Sequence, residues 1–260
     1  KGLHTLLLGP SGVGKSQVAE CMYEFARTSK VISENAPFVV FNCADYADNP
    51  QLLLSQLFGS VKGAYTGATE NKMGIVEACD GGILFLDEIH RLPSEGQEIL
   101  FSILDKGIFR RLGESETVRK SNVMIIAATT ENVESSLLLT FRRRIPMVIE
   151  IPAIKDRPFE ERFELINKAF FEESHRIKKD MLISKNVISE LMKYECQGNI
   201  GQLKSDIQVA CAISFLEHKL KEDKRLYIDE RYLPDYIKEQ SRRINIDDSD
   251  IEKFIIEDIY

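Results

Sequence analysis

The 260 residues carry 34 basic and 41 acidic side chains, so the formal net charge is −7. A domain that binds duplex DNA by itself is usually basic, and this balance therefore argues against direct DNA contact by these residues. The apolar runs have the length of strands and fall far short of the roughly 20 residues that cross a bilayer, so we expect no membrane span.

The cysteine pattern and the first residues bear on the cellular compartment. The five cysteines form no Cys-x-x-Cys pair, and most lie in apolar runs, as reduced thiols of cytoplasmic proteins do. The chain opens directly in a strand pattern without a signal peptide. We therefore expect a cytoplasmic segment of a longer protein.

Short, nearly continuous apolar runs predict the strands of one sheet. They are Leu3–Leu8, Phe38–Cys43, Ile83–Leu86, Val123–Ala128 and Met147–Ile151. Such runs are typical of strands buried on both faces, hence of a parallel sheet. Helices are predicted from Lys15 and from near Ser94, where Ser94 and Gln97 form a capping-box pattern after Pro93. The alternation of strand and helix predicts an α/β sandwich over residues 1–155.

After Pro152 the strand signals stop and apolar residues recur at helical spacing. Three groups share this spacing: Phe159, Phe163, Ile166 and Phe170; Val187, Ile188, Leu191 and Met192; Leu203, Ile207, Ala210 and Cys211. They predict a small all-helical subdomain over residues 156–220. Residues 221–260 are rich in charge, and the sequence leaves open whether they form helices toward a further domain or a linker.

A phosphate-binding pattern joins the first strand to the first helix. It reads Gly9-Pro10-Ser11-Gly12-Val13-Gly14-Lys15-Ser16 and matches G-x-x-x-x-G-K-[ST] in the context that this motif requires. Glycines let backbone N–H groups surround phosphate oxygens, and the helix N-terminus adds positive potential. We expect Lys15 to reach the β- and γ-phosphates of ATP and Ser16 to hold Mg²⁺. A chance glycine-rich turn is the competing interpretation.

Two adjacent acids end the strand that reads ILFL. We expect Asp87 to position Mg²⁺ through its water shell and Glu88 to polarise the water that attacks the γ-phosphate. The competing interpretation is a strand that ends in solvated acids. Asn42, at the end of the second strand, is predicted either to hydrogen-bond Glu88 and hold it away from the water or merely to cap its own strand. His90, just past the acids, is interpreted as a polar group at a helix start rather than a base.

Together these motifs resemble a known family. The order P-loop, FNCA, GAYTGA, GGILFLDE, IIAATT and Tyr-x-x-x-Gly-Asn is similar to the AAA+ domain of bacterial enhancer-binding proteins, the activators of sigma-54 RNA polymerase. The resemblance covers residues 1–218. It implies a three-layer P-loop sandwich with a parallel five-stranded sheet, followed by a small all-α lid.

The most specific element is the hexapeptide Gly63-Ala64-Tyr65-Thr66-Gly67-Ala68. It lies within residues 58–74, a stretch with few side chains that could form a hydrophobic core. The hexapeptide looks like the family's GAFTGA signature with tyrosine for phenylalanine. The resemblance implies a hairpin-like insertion whose tip contacts the sigma factor, with Tyr65 as an exposed aromatic and Thr66 as a hydroxyl. The glycines allow the backbone to rearrange. A surface loop without a partner is the competing interpretation.

A closer resemblance is to the branch that regulates levanase and mannose-type phosphotransferase operons. It is carried by GGILFLDEIHRLPSEGQEILFSILDKGIFRRLGE, RRIPMVIEIP and GNIGQLKSDIQ. In that branch a DNA-binding domain precedes the ATPase and phosphotransferase regulatory domains follow it. The resemblance therefore implies that DNA is contacted only through a domain outside these residues.

The family also uses arginines from a neighbouring subunit to stabilise charge on the transferred phosphoryl group. Arg142, Arg143 and Arg144 precede the fifth strand, and Arg143 best matches one such finger, while the other position falls on Leu137. The resemblance implies a ring, most simply a hexamer, with ATP at each subunit boundary. A solvated basic cluster is the competing interpretation.

Two positions depart from the family. Gly201 stands where a sensor arginine is usual, with Lys204 as a candidate replacement, and Thr130 stands where the strand-end sensor is usually asparagine. A hydroxyl still orients water, though with fewer hydrogen-bonding groups than an amide. Two other functions stay open. An AAA+ protein-remodelling ATPase would share the P-loop, the Asp-Glu pair and the arginines but would not need GAYTGA. The loss of the sensor arginine at Gly201 also allows a nucleotide-dependent assembly module that hydrolyses slowly.

Overall fold

The computed structural model describes residues 3–130, 140–141, 143–219 and 225–241. These residues form two compact units. The first comprises described residues of 1–10 and 14–151, and the second comprises those of 11–13 and 152–260. Leu137, Arg142 and residues 242–260 lie outside the described residues.

The first unit is built on a five-stranded parallel sheet. In chain order its strands are β1 (Thr5–Leu8), β2 (Phe38–Asn42), β3 (Gly59–Ser60), β4 (Lys72–Met73), β5 (Ile83–Asp87), β6 (Ile108–Phe109), β7 (Arg119–Lys120), β8 (Met124–Thr129) and β9 (Met147–Glu150). The main sheet has the order β2-β5-β8-β1-β9, and every neighbouring pair in it is parallel. The predicted α/β architecture with a parallel five-stranded sheet is confirmed.

Both faces of the central strands are covered, which explains their continuous apolar sequences. Adjacent residues such as Leu6 and Leu7, or Leu84 and Phe85, point to opposite faces, and all four are fully buried. The pattern of the sequence therefore follows from burial on two sides, and the side chains available for chemistry lie where the strands end.

The α-helices of this unit whose bounds lie within the described residues are α1 (Lys15–Thr28), α2 (Pro50–Phe58), α3 (Ile75–Ala78) and α4 (Ser94–Lys106). The capping box predicted at the start of α4 is wrong. Pro93 occupies the N-cap position without a side-chain cap, and Gln97 Nε2 donates instead to the carbonyl of Leu92 at 2.8 Å. With Ser94 already inside the helix, its hydroxyl is not at the position from which a cap reaches the free N–H groups.

Gly82, which leads into β5, lies against the backbone of the neighbouring edge strand. A Cβ at this position would lie 2.1 Å from the carbonyl oxygen of Pro37, which already accepts the N–H of Ile83. We therefore expect Gly82→Ala to destabilise the fold by about 2 kcal/mol, as overpacking does. Gly81→Ala is the matched control, because its Cβ meets nothing within 4 Å and only the positive φ of 74° is penalised. Urea denaturation followed by circular dichroism would contradict this prediction if Gly82→Ala were no less stable than Gly81→Ala.

The second unit contains the predicted helices and a strand pair that the sequence analysis missed. Its elements are α5 (Phe159–Ile177), β10 (Asp180–Ile183), α6 (Lys185–Lys193), α7 (Asn199–Lys219), β11 (Arg225–Ile228) and α8 (Asp235–Ser241). The helical subdomain is confirmed, but the prediction that strands stop after Pro152 is wrong, because β10 and β11 pair in parallel. Met181, Ile183, Leu226 and Ile228 are buried from this pair into the core of the unit.

The residues after 220 were predicted as either helices or a linker. Within this range, β11 and α8 pack into the core of the second unit through Leu226, Ile228 and Ile237. Residues 225–241 are therefore part of this unit and not a linker. None of the helices in the described ranges combines the length and the apolar character that a bilayer crossing needs.

Candidate functional site

Four strands of the parallel sheet end at one edge, and the residues predicted to carry the chemistry lie at or just after these ends. The register places Asn42 beside Asp87 and Leu8 beside Thr129. Because the strands are parallel, the loop after β1 and the ends of β5 and β8 meet at this edge, where ligands of open α/β sheets bind.

The loop after β1 has the backbone of a phosphate cradle. Gly9, Gly12 and Gly14 have φ values of 151°, 77° and 99°, which side chains with a Cβ rarely adopt. Lys15 is buried, and its Nζ donates to the carbonyl oxygens of Gly9 at 2.8 Å and Pro10 at 3.1 Å. Ser16 is exposed in the first turn of α1.

The charged groups at this edge are partly withdrawn from water. Burial lowers the pKa of Lys15, while the nearby carboxylates of Glu88 and Asp87 act in the opposite direction. Burial raises the pKa of Asp87, although its carboxylate accepts the N–H of Glu88 at 3.0 Å. A cation beside Asp87 would offset the cost of its lost solvation, so this side chain fits a metal-bound phosphate.

Glu88 is held by its backbone and by two side chains. Its φ and ψ of 49° and 47° are left-handed, which is uncommon for a residue with a side chain and is found at functional sites. Thr130 Oγ1 donates to Glu88 Oε2 at 2.9 Å, and His90 Nδ1 lies 3.2 Å from the same oxygen. Sequence reasoning set His90 aside, although its place two residues after Glu88 in a tight turn was a usable signal.

Asn42 does not make the predicted hydrogen bond to Glu88. Its Oδ1 accepts the N–H of Ala44 at 3.0 Å and its Nδ2 donates to Asp45 Oδ1 at 3.0 Å. The amide caps the turn that follows β2, which satisfies an otherwise free backbone N–H. The second of the two interpretations, a capping asparagine, describes this structure.

The basic cluster before β9 is not uniform. Arg144 is engaged within the unit, because its Nε donates to Asp105 Oδ2 at 3.3 Å and its guanidinium lies 4.4 Å from the ring centre of Phe101. Arg143 is exposed, and Arg142 lies outside the described residues. Of the two described arginines, Arg143 is the one with its guanidinium in solvent.

The glycine-rich stretch forms a hairpin-like insertion between α2 and α3. β3 and β4 pair antiparallel at its base, and Gly63 N–H donates to the carbonyl of Ala68 at 2.9 Å across the tip. A Cβ on Gly63 or Gly67 would meet nothing within 4 Å, so the tip is open to solvent. The geometry of the insertion therefore leaves room for a partner.

Tyr65 is only half-buried and not fully exposed as expected. Its hydroxyl donates to Ser55 Oγ at 3.2 Å, and Ser55 in turn donates to Ser60 Oγ at 3.1 Å. The tyrosine hydroxyl supplies this contact, which a phenylalanine at the same position would lack. In this structure the ring is folded back toward α2, while Thr66 is exposed.

The base of the insertion is joined to the β6–β7 hairpin. Val61 N–H donates to the carbonyl of Leu112 and Leu112 N–H donates to the carbonyl of Gly59, both at 3.0 Å. Glu77, in α3, accepts from Arg111 at 2.8 Å and from Arg119 at 3.2 Å. Movement of one hairpin would thus displace the other.

The second unit contains Gly201, one of the two departures from the family, and its candidate replacement Lys204. Gly201 lies in the first turn of α7, and its N–H donates to the carbonyl of Gly12 at 3.3 Å. Lys204, the candidate substitute cation, donates to Glu172 Oε2 at 2.7 Å. Asn199, which sequence reasoning did not single out, is buried and donates through Nδ2 to the carbonyl of Ser11 at 2.8 Å.

Comparison with known proteins agrees with these features. Residues 1–153 match the family described as Sigma-54 interaction domain. The transcriptional regulatory protein LevR of Bacillus subtilis (strain 168) is 53% identical over 239 residues, which are 92% of this chain and 26% of LevR. The transcriptional regulatory protein DagR of Salmonella typhimurium (strain 14028s / SGSC 2262) is 49% identical over 259 residues, which are 95% of this chain and 28% of DagR. The chain thus spans about a quarter of the length of these relatives.

A solved structure shows the same fold. The crystal structure of NtrX from Brucella abortus in complex with ADP superposes with a TM-score of 0.74 and 25% sequence identity, over 91% of this chain and 50% of that chain. The resemblance predicted from the motifs, including the levanase branch, is confirmed by these matches. The chain therefore belongs to the sigma-54 interaction domain family, the AAA+ domain of sigma-54-dependent transcriptional regulators.

Proposed function

We propose that this chain hydrolyses ATP and uses the free energy to remodel the closed complex of sigma-54 RNA polymerase. The observation that carries the proposal is the convergence of Lys15, Asp87 and Glu88 at one edge of the sheet, with Glu88 held by Thr130. A buried ammonium, a half-buried carboxylate and a positioned second carboxylate are the parts that phosphoryl transfer to water requires. The similarity to LevR and DagR supports a sugar phosphotransferase operon as the target of the whole protein.

The site residues have separate tasks in this reaction. Lys15 would exchange its two carbonyl partners for β- and γ-phosphate oxygens, and the N–H groups of residues 9–16 would surround the phosphates. Glu88 would take the proton of the attacking water. Arg143 would reach from a neighbouring subunit to the γ-phosphate, which makes ring assembly, as a hexamer, part of catalysis.

Mg²⁺ fits the residues at this edge. A cation beside the half-buried carboxylate of Asp87 would offset its lost solvation, and the exposed hydroxyl of Ser16 is an oxygen ligand of the kind that Mg²⁺ takes. Ser16 and Asp87 would hold it. When bound, it would neutralise charge on the β- and γ-phosphates.

The remaining parts of the chain would transmit the state of the nucleotide. Residues 1–155 would form the ATPase part and residues 156–220 the lid, to which residues 225–241 also belong because they pack in its core. Thr130, directly after β8, would report the γ-phosphate through Glu88, and Asn42 would report it through the turn after β2. The insertion at 63–68 would rise toward the sigma factor in one nucleotide state, a shift that requires different contacts in the two states.

We place the protein in the cytoplasm, with sigma-54 RNA polymerase and copies of itself as partners, DNA contacted only through a domain outside these residues, and no membrane contact.

One observation favours the slow assembly module as a second candidate. Gly201 carries no cation, and Lys204 is already paired with Glu172. Nucleotide binding without turnover at any protein concentration would support that function.

The role of the insertion is tested by capture of sigma-54 in the presence of a transition-state analogue of ATP hydrolysis. Tyr65→Ala is expected to weaken capture by about 30-fold or more, as loss of an aromatic anchor does, and to spare ATP hydrolysis. Tyr227→Ala, which removes an exposed tyrosine of the second unit, is the matched control and should capture normally. Retained capture by Tyr65→Ala, with hydrolysis intact, would show that the aromatic tip does not grip the partner.

A further inference from the structure

The imidazole of His90 lies against the carboxylate that we propose as the general base. Its Nδ1 is 3.2 Å from Glu88 Oε2 and 3.0 Å from Thr129 Oγ1. The side chain of His90 is 11% exposed and that of Glu88 is 22% exposed. Polar contacts in such a sheltered place are stronger than contacts at the surface, so this one fixes the positions of both groups.

His90 Nδ1 forms a hydrogen bond with Thr129 Oγ1 and lies within ion-pair distance of Glu88 Oε2. An ionised carboxylate only accepts, so a proton on Nδ1 of His90 makes the 3.2 Å contact with Glu88 Oε2 attractive. Thr130 Oγ1 donates to the same carboxylate oxygen at 2.9 Å. Within the described residues, the Thr130 hydroxyl thus donates to Oε2 and the His90 ring nitrogen lies beside the same oxygen, while Oε1 accepts no hydrogen bond, which leaves Oε1 available for the proton of a water molecule.

This arrangement compensates for the flexibility of a long side chain. Glu88 has a left-handed backbone directly after β5. The carboxylate still has several rotatable bonds, and fixing them costs conformational entropy. The Thr130 hydroxyl and the His90 ring nitrogen on one oxygen restrict these bonds before the substrate arrives, and pre-organisation of this kind lowers the barrier of the chemical step.

We infer that His90 is a positioning residue, which together with Thr130 holds Glu88 in the orientation that takes a proton from the attacking water. This inference rests on the proposed hydrolysis of ATP and assigns a role to a side chain that the motifs do not include. His90 does not touch the water or the nucleotide in this mechanism. It acts only through Glu88.

Steady-state hydrolysis with His90→Leu, His90→Asn and His90→Gln tests the inference. His90→Leu is expected to lower kcat on the order of 10- to 100-fold with little change in KM, because the base is displaced while the phosphate site is intact. His90→Asn keeps a donor near the position of Nδ1 and should recover most of kcat. His90→Gln carries its amide beyond that position and should recover less. His175→Leu, at an exposed histidine of α5, should match the wild type.

A double-mutant cycle separates positioning from a general structural role. In the Glu88→Gln background, His90→Leu should cause no further loss of kcat, because no base remains to be positioned. Additive losses would overturn the inference, as would equal activities of the asparagine and glutamine variants. If His90→Leu lowers the melting temperature, the ratio of kcat between His90→Asn and His90→Gln still distinguishes positioning of Glu88 from a general structural role. A wild-type chain without any turnover would overturn both this inference and the proposed function, whereas normal turnover by His90→Leu would overturn only the inference.

Discussion

Replacing Glu88 with glutamine is expected to reduce kcat for ATP hydrolysis by about 10²- to 10⁴-fold, the range for loss of a general base. The substitution keeps the shape of the side chain, and the amide oxygen can still accept from Thr130, so the change is limited to basicity. Affinity for nucleotide should stay close to that of the wild type, because Lys15 and the loop after β1 are untouched.

The measurement pairs single-turnover hydrolysis with equilibrium binding of a fluorescent ATP analogue. Glu95→Gln, in the exposed first turn of α4, is the matched control, since it removes the same charge away from the sheet edge. Glu88→Gln with wild-type turnover would show that another group takes the proton. A loss of binding equal to the loss of turnover would instead assign Glu88 to the nucleotide pocket.

The sequence predicts those parts of the site whose position depends only on the order of neighbouring strands, loops and helices along the chain. The loop after β1 follows a buried strand and opens a helix, so its position depends on two neighbouring elements only. Asp87 and Glu88 end a strand whose continuous apolar residues require burial on both faces. In a parallel sheet this places them at the same edge as the loop, and no side-chain detail is needed for that conclusion.

The parts that the sequence does not predict depend on competition between partners. The side chain of Asn42 could either hydrogen-bond Glu88 or cap its own strand. The N–H of Ala44 is a partner close by in the chain, so the cap forms without ordering a distant residue. His90 meets Glu88 because a left-handed residue and a short turn bring two side chains together, which periodicity does not reveal. Tyr65 finds Ser55 only because the insertion folds back onto α2.

The missed strands β10 and β11 have a similar cause. Each has four residues and lies between helices, and the partner of each is separated from it by 41 or more residues of chain. Their alternating burial is visible only once both are paired, because Met181 and Ile183 alone also fit a helical or loop segment. Whether such a short segment forms a strand depends on its pairing in the folded structure and not on the local propensity of its residues.

Replacing Arg143 with alanine is expected to lower kcat by about 10³- to 10⁵-fold, the range for loss of an arginine finger. The reason is that Arg143 is exposed, whereas Arg144 is held by Asp105 and by the ring of Phe101. Arg144→Ala should therefore cost less activity than Arg143→Ala. Arg110→Ala, at another exposed arginine of the first unit, is the control for loss of charge.

A mixing experiment shows whether Arg143 acts on the neighbouring subunit. Neither Arg143→Ala nor Glu88→Gln should hydrolyse ATP alone, but rings formed from an equal mixture would contain seams with an intact base on one side and an intact arginine on the other. Random mixing in a closed ring predicts recovery of roughly a quarter of wild-type turnover. Sedimentation of each variant with nucleotide must show that both still assemble. If the mixture stays inactive while mixed rings form, Arg143 serves its own subunit, and the seam between subunits is not where the transferred phosphoryl is stabilised.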